Sequence, residues 1–214
     1  MWGTVLSMQF ETEVEPLRVE IASDHRRLLL QLAAGSVRAT ASGHNFPLPE
    51  DLPSAILHHA ATFVTIKRDQ QLRGCIGSLE PRLPLAEDVR RNARRASRSD
   101  PRFPPLATAE LAGLTVSVSV LGPTRAFAPS SQHELLTELG RLRPGLILEF
   151  GPKRATFLPA VWEQVPEPHE FLSLLKRKAG LPVDFWSPEL SFQLYGTLQF
   201  ERNIVGDDFL GMKS

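Results

Sequence analysis

The 214-residue sequence contains only one cysteine, Cys75, and carries no net charge. One cysteine excludes an internal disulfide and leaves too few thiolates for a cysteine-based zinc site. A lone free thiol is typical of a reducing compartment, so we expect a cytoplasmic protein. Because 24 Lys and Arg residues balance 24 Asp and Glu residues, the molecule as a whole has no net field that would attract nucleic acid or an acidic membrane.

Long apolar runs are also missing. No stretch approaches the roughly 20 apolar residues that cross a bilayer, and the N-terminus has no cationic region followed by an apolar run. We therefore expect neither export nor a membrane anchor. The six histidines are scattered, and the adjacent His58 and His59 point to different faces of any regular element, so no metal site is predicted. No cofactor is predicted either, because the sequence has no glycine-rich phosphate loop and no dinucleotide-binding motif.

Length and a hydrophobic content of 42% predict one folded unit with its own core. Residues 1–15 show no sustained hydrophobic period and hold Glu11, Glu13 and Glu15, so they are predicted to be an N-terminal tail. The folded domain is predicted over 16–200, and residues 201–214 are predicted to be a C-terminal tail.

Hydrophobic periodicity predicts helices and strands in irregular alternation. Helices are predicted from about Asp24, with Gly35 expected to end or interrupt the first of them, and over 85–98, 133–142 and 168–179. Strands are predicted over 61–67, 72–79, 145–150, 155–158 and 190–200, and Thr115–Leu121 alternates strictly enough to indicate a half-buried strand. The mixture favours an α+β fold, a compact two-lobed domain around a largely antiparallel β-sheet flanked by helices.

The strands 61–67 and 72–79 form a predicted hairpin that carries the hexapeptide Leu72-Arg73-Gly74-Cys75-Ile76-Gly77. Regular alternation sends Leu72, Gly74 and Ile76 to one face and Arg73, Cys75 and Gly77 to the other. A guanidinium group beside a thiol favours the reactive thiolate. The two glycines fit either bare N–H groups that receive an anionic or carbonyl ligand, or bends in a twisted sheet.

Several other residues have more than one interpretation. Cys75 is either functional or a small buried hydrophobe. Asp100, in a proline-locked loop with Arg102, orients Arg73, serves as a general base, or merely initiates a turn. Glu149 and Thr156, near predicted strand ends, either add polar groups to the same cleft or are ordinary surface residues.

The hexapeptide and six further motifs, in order, resemble the AMMECR family. The others are Phe63-Val64-Thr65-Ile66-Lys67, Asp100-Pro101-Arg102-Phe103-Pro104-Pro105, Val116-Ser117-Val118-Ser119-Val120-Leu121, Thr156-Phe157-Leu158-Pro159 with Val161-Trp162, Phe171-Leu172, and Leu175-Lys176-Arg177-Lys178-Ala179-Gly180-Leu181. The chain is therefore identified as a member of that family, which includes protein A of the AmmeMemoRadiSam system. The resemblance implies a two-lobed α+β domain with the hexapeptide near the groove between the lobes.

The resemblance further implies a binding or accessory module that acts with a Memo-like protein and a radical S-adenosylmethionine enzyme on a small-molecule or protein substrate. The candidate catalytic residues are Cys75, Arg73 and Asp100, and the candidate binding residues are Gly74, Ile76, Gly77, Arg102, Glu149 and Thr156. The alternative is a cysteine-dependent enzyme with Cys75 as nucleophile, Arg73 as thiolate or oxyanion partner, and Asp100 as orienter or base.

A third alternative is an RNA-associated domain that uses an arginine-rich helix. Its cations are Arg90, Arg91, Arg94, Arg95 and Arg98. These charges equally suit a solvated helix face near a C-terminal dipole. Because no aromatic residue interleaves them, as stacking on single strands requires, nucleic-acid binding is not expected.

Overall fold

The computed structural model describes residues 19–204, in which the chain forms four α-helices and eight β-strands. In chain order these are α1 (Ser23–Ala41), β1 (Thr62–Arg68), β2 (Gln71–Gly77), α2 (Leu85–Arg98), β3 (Leu114–Leu121), β4 (Arg125–Phe127), α3 (Gln132–Leu142), β5 (Gly145–Phe150), β6 (Lys153–Phe157), α4 (Pro168–Lys178), β7 (Ser191–Tyr195) and β8 (Thr197–Asn203). None of these helices is long and apolar enough to cross a bilayer. The predicted tail 1–15 and residues 205–214 of the predicted tail 201–214 lie outside the described residues.

The first lobe is built on a sheet in the order β2-β1-β3-β8, with each neighbouring pair antiparallel. Helices α1 and α2 pack on one face of this sheet, where Val116 and Val118 of β3 are completely buried against them. Strand β2 lies at the edge. Its outward N–H and C=O groups therefore have no neighbouring strand and must find other partners.

Helix α1 extends further than its glycine predicts. The expectation that Gly35 ends or interrupts the helix is wrong, because α1 continues to Ala41. A Cβ atom at position 35 would lie 2.5 Å from Cε2 of Phe46, so the glycine allows the aromatic ring to pack directly on the helix backbone. The tertiary contact outweighs the poor helix propensity of glycine.

The second lobe is built on a sheet in the order β4-β7-β5-β6, also antiparallel. Helices α3 and α4 cover it and form a separate core, in which the rings of Trp162 and Phe171 stack with their centres 3.9 Å apart. Helix α4 begins at Pro168 and carries Lys176, Arg177 and Lys178 in its last turn, as predicted. Its C-terminal end brings Lys178 to the junction with the first lobe.

The chain crosses between the lobes twice, and the two crossings lie side by side. One follows β3 at Gly122 and the other separates β7 from β8 at Gly196, and Gly122 N donates to Gly196 O at 2.9 Å. Around these crossings a small apolar cluster joins the lobes, made of Ala61, Leu121, Ile147 and Tyr195 with Phe63, Leu79 and Leu158 against them. Thus the contact between the lobes is small compared with either core.

The predicted α+β class is confirmed, with the strands divided between two sheets rather than gathered in one. The single strand predicted over 190–200 is wrong, because the chain leaves one lobe and enters the other at Gly196. The half-buried exposure predicted for β3 is also wrong. Ser117 and Ser119, on its predicted open face, are each only 3% exposed, since that face of the sheet is turned toward the second lobe.

Candidate functional site around Cys75

The hairpin that carries the hexapeptide turns at Asp69 and Gln70, both of which have positive φ angles. Two such residues form the tight turn that suits the twist of paired strands. Three residues beyond Gln70 the pairing is irregular, because Ile66 faces Gly74 whereas Lys67 faces Leu72. Arg73 is therefore the extra residue of a β-bulge in β2.

The bulge changes which side chains share a face. Leu72 pairs with Lys67 and Gly74 pairs with Ile66, so Leu72 and Gly74 lie on opposite faces, and the predicted common face of these two residues is wrong. Cys75 pairs with Thr65 and lies on the face turned toward the second lobe. Ile76 packs against the core beneath helices α1 and α2.

Both glycines of the hexapeptide are explained by close packing within the protein. A Cβ at position 74 would lie 2.2 Å from the carbonyl oxygen of Ala96, so α2 rests directly on the strand backbone there. At position 77 a Cβ would lie 2.3 Å from the ring of Phe63, its partner across the hairpin. These contacts account for the glycines without a bound ligand.

The free edge of β2 at Cys75 is held by the loop after α2. Cys75 N donates to Asp100 Oδ2 at 2.8 Å, and Arg102 Nη2 donates to Cys75 O at 3.2 Å. Arg102 also donates from Nε to Asp100 Oδ1 at 2.9 Å and from Nη2 to Oδ2 at 2.7 Å. The Asp100–Arg102 pair therefore occupies the place that a neighbouring strand would take.

Asp100 is 3% exposed, and its carboxylate accepts hydrogen bonds on both oxygens. The bonds from Arg102 and from the backbone of Cys75 lower its pKa to about 2, although burial acts in the opposite direction. A carboxylate held in this way is a weak proton acceptor at neutral pH. Asp100 is therefore better suited to hold Arg102 and the Cys75 backbone in place than to act as a general base.

Arg73 does not bind Asp100 but forms a two-point ion pair with Glu110. Arg73 Nε lies 2.7 Å from Oε1 and Nη2 lies 3.0 Å from Oε2, while Nη1 donates to Pro104 O at 3.0 Å. These bonds, with that from Ala107 N, lower the pKa of Glu110 to about 2. The prediction that Asp100 orients Arg73 is therefore wrong, because Glu110 holds the Arg73 guanidinium instead.

The thiol of Cys75 has polar neighbours from both lobes. Thr65 Oγ1 donates to Cys75 Sγ at 3.3 Å, and a negative charge on that sulfur would raise the pKa of both Arg102 and Lys178. Cys75 is only partly buried. It is therefore neither a sealed core residue nor a freely exposed one.

Lys178 reaches this site from the end of α4. Its Nζ donates to Thr156 O at 3.0 Å and lies 5.0 Å from the centre of the Phe157 ring. Although much of the residue is exposed, desolvation of its ammonium group lowers the pKa of Lys178, Arg102 lowers it further, and Cys75 acts in the opposite direction. Two cations, Arg102 from the first lobe and Lys178 from the second, therefore lie within electrostatic range of one thiol.

Thr156 supplies the backbone carbonyl oxygen that holds Lys178. It is buried, its Oγ1 donates to Leu146 O at 2.9 Å, and its hydroxyl lies 2.7 Å from that of Tyr195. Burial raises the pKa of Tyr195 to about 12, so this hydroxyl stays protonated at neutral pH. The side chain of Thr156 is thus occupied within the second lobe, and its backbone oxygen binds Lys178.

Glu149 lies elsewhere, on a groove of about 700 Å³ between the lobes. Arg154 Nε lies 2.7 Å from Glu149 Oε1, and Arg154 Nη1 lies 3.0 Å from Oε1 of Glu80 in the first lobe. No residue of the hexapeptide lines this groove. Glu149 therefore lines this groove and not the cleft at Cys75, where it was predicted to lie.

Comparison with known proteins identifies the family. The sequence profile of the AMMECR1 family matches residues 30–200, which is most of the chain. The chain belongs to the AMMECR1 family. It is 36% identical over 178 residues to a protein of Nanoarchaeum equitans, covering 82% of this chain and 99% of that protein. It is 37% identical over 172 residues to a protein of Methanothermobacter thermautotrophicus, covering 79% and 90% of the two chains.

A solved structure has the same AMMECR1 fold. The crystal structure of an uncharacterized protein of Pyrococcus horikoshii superposes with a TM-score of 0.79 at 31% sequence identity, over 85% of this chain and 93% of that chain. The AMMECR1 match spans Cys75, Arg102 and Lys178. The thiol and the two cations near it therefore all lie within the family domain.

Sequence analysis of this AMMECR1 domain missed four residues around the site: Thr65, Glu110, Lys178 and Tyr195. Thr65 could have been identified as a cross-strand partner only with knowledge of the bulge. Lys178 appeared in a family motif but carried no signal that links it to Cys75. Within residues 19–204, no group of three His, Cys, Asp or Glu side chains is arranged to hold a metal ion.

Proposed function

We propose that this chain is a cytoplasmic binding or accessory module that holds an anionic or carbonyl group of a substrate beside Cys75. We further propose that it acts with a Memo-like protein and a radical S-adenosylmethionine enzyme. The observation that carries the proposal is that Arg102 of the first lobe donates to Cys75 O at 3.2 Å, while Lys178, held at Thr156 O of the second lobe, lies within electrostatic range of both Cys75 and Arg102. A negative group between them would be held by both lobes at once.

The surrounding carboxylates support a binding role over independent catalysis. Asp100 and Glu110 are each paired with an arginine, and each has a pKa lowered to about 2. A general base works best when its pKa is near the working pH. These two groups are therefore suited to hold the site in shape, which is what an accessory module needs.

Association with the two partners is the direct test. The full-length chain would be titrated calorimetrically against the Memo-like protein and the radical enzyme of the same genome, separately and together. Lys178→Met is expected to weaken the complex about tenfold, because the anionic group that a partner presents beside Cys75 loses one charge-assisted contact. Lys153→Met is a matched control, since Lys153 is another exposed lysine of the second lobe and donates to one carbonyl, Gly180 O, at 2.6 Å.

Two outcomes contradict this proposal. One is the absence of association with either partner, alone or together. The other is an equal loss in the two lysine variants, which would mean that Lys178 contributes only a general surface charge.

A cysteine-dependent enzyme is a second candidate, favoured by the Thr65 hydroxyl at 3.3 Å from Sγ and by the two nearby cations. In this case Cys75 acts as nucleophile and Arg102, rather than Arg73, stabilises the thiolate. The test is the rate at which iodoacetamide alkylates the native protein at neutral pH, compared with the denatured chain. Alkylation of the native thiol far slower than that of the denatured chain contradicts this candidate.

A further inference from the structure

The C-terminal half of α2 carries a stripe of four arginines. Arg91, Arg94, Arg95 and Arg98 are spaced i, i+3, i+4 and i+7, which puts them on one helix face. All four are exposed. The stripe is about 10 Å long, because each helical residue adds about 1.5 Å.

These four arginines differ from those nearby. Arg90 on the same helix holds Glu87 at 2.6 Å, and Arg73 and Arg102 each hold a carboxylate at 2.7 Å. By contrast, no carboxylate of residues 19–204 forms an ion pair with any arginine of the stripe. Like charges at these spacings repel one another, and an anionic surface laid along them would remove that repulsion.

The stripe also leads directly into the candidate site. Helix α2 ends at Arg98, and two residues later Asp100 binds the Cys75 backbone and positions Arg102. A partner seated on the stripe would therefore have its surface next to the loop that holds Cys75.

We propose that this stripe docks an acidic helix or acidic helical face on a partner protein. Three observations favour a protein over nucleic acid: the sequence pI is about 7.0, no aromatic residue interleaves the arginines, and the charges occupy one short helix face rather than a groove. Glutamates at i, i+3, i+4 and i+7 of a partner helix would match the spacing of the stripe. This inference does not depend on which ligand binds at Cys75.

The test uses a fluorescent alanine-based peptide with glutamates at i, i+3, i+4 and i+7. Its control has the same composition with the glutamates spread around the helix, and a single-stranded RNA of equal charge is the third probe. Anisotropy titrations with the full-length chain are expected to show about fivefold tighter binding of the patterned peptide than of its control. Arg91→Glu with Arg95→Glu should weaken patterned-peptide binding at least about tenfold.

Arg27→Glu with Arg177→Glu is the matched control, because both arginines are exposed, lie on other helices, and give the same change in net charge. Circular dichroism would verify that both double variants fold. Retained binding in this control supports the stripe. The proposal is overturned if the two peptides bind equally, if neither binds, if both double variants lose binding equally, or if the RNA binds more tightly through the stripe.

Discussion

Arg73 and Arg102 lie on the same edge of the first lobe, and both guanidinium groups approach the ring of Phe103, at 5.9 and 5.5 Å from its centre. Each arginine holds one carboxylate with a pKa near 2. They differ in what that pair does. Arg102 and Asp100 bind the backbone of Cys75, whereas Arg73 and Glu110 tie β2 to the loop around Pro104 and Ala107.

The comparison shows that nearness in sequence to Cys75 does not decide which arginine contacts it. Arg73 is two residues from Cys75, but the bulge makes it the extra residue of β2, and its side chain binds Glu110. Arg102 is 27 residues away and contacts Cys75 directly. Backbone irregularity, rather than residue order, assigns the two roles.

The largest expected effect comes from a change that disturbs both arginine sites together. Gly74→Ala would place a Cβ 2.2 Å from the backbone oxygen of Ala96, so β2 must move away from α2. We expect a loss of about 3 kcal/mol in unfolding free energy, measured by chemical denaturation. Gly77→Ala is the control and should cost less, about 1 to 2 kcal/mol, because the added Cβ meets the side chain of Phe63 rather than a backbone atom. Equal losses in the two variants would contradict the packing argument.

The next effect separates the two pairs. Asp100→Asn removes a buried carboxylate and disrupts the acceptor of Cys75 N, so we expect a loss of about 2 to 3 kcal/mol. Glu110→Gln should cost only about 1 kcal/mol, because the Glu110 side chain is 24% exposed and water can replace part of its bonding. A larger loss for Glu110→Gln than for Asp100→Asn would reverse the assignment of roles.

Acid should weaken both pairs. The pKa values of Asp100 and Glu110 fall from ordinary values of 3.8 and 4.5 to about 2 in the folded chain, so the unfolded chain binds more protons in this range. Their stabilisation is therefore complete above about pH 5 and is lost as the pH falls toward 2. Asp100 should account for about 2 kcal/mol of this loss. In urea titrations from pH 6 to pH 2, Asp100→Asn should flatten the decline, and an unchanged slope would contradict the pairing.

The smallest effect concerns the field at the thiol. The ratio of Cys75 alkylation rates with anionic iodoacetate and neutral iodoacetamide reports the local positive charge. Arg102→Gln should lower this ratio about threefold, as expected for loss of one nearby charge in a largely solvated site. Arg73→Gln should lower the ratio less, because Arg73 binds Glu110 and Pro104 O, whereas Arg102 Nη2 donates directly to Cys75 O. A comparable fall in both variants would show that the two arginines act on the thiol alike.

Local patterns predicted most elements but not how they assemble. Helix α4 was predictable because Pro168 begins it and Lys176 to Lys178 end it, all features of the local sequence. The continuation of α1 past Gly35 depends on Phe46, which lies outside the helix. The break at Gly196 was not predictable either, since apolar alternation carries no information on which sheet a strand joins.

The candidate site divides in the same way. Cys75, Asp100 and Arg102 were identified from a glycine-bearing strand and a proline-locked loop, which are local signals. The bulge at Arg73 leaves no sequence signal, and it alone puts Thr65 opposite Cys75. Lys178 is 103 residues beyond Cys75 and meets it only because the second lobe returns against the first.

The hydrogen bond between Gly122 and Gly196 joins the two ends of the second lobe, which is therefore an insertion within the first. Strand β8, the fourth strand of the first sheet, emerges from the ribosome only after that insertion is complete. During synthesis the inserted lobe can close on its own core while β3 still has an open edge. The thiol-bearing lobe can therefore complete its sheet only after the whole second lobe has been synthesised.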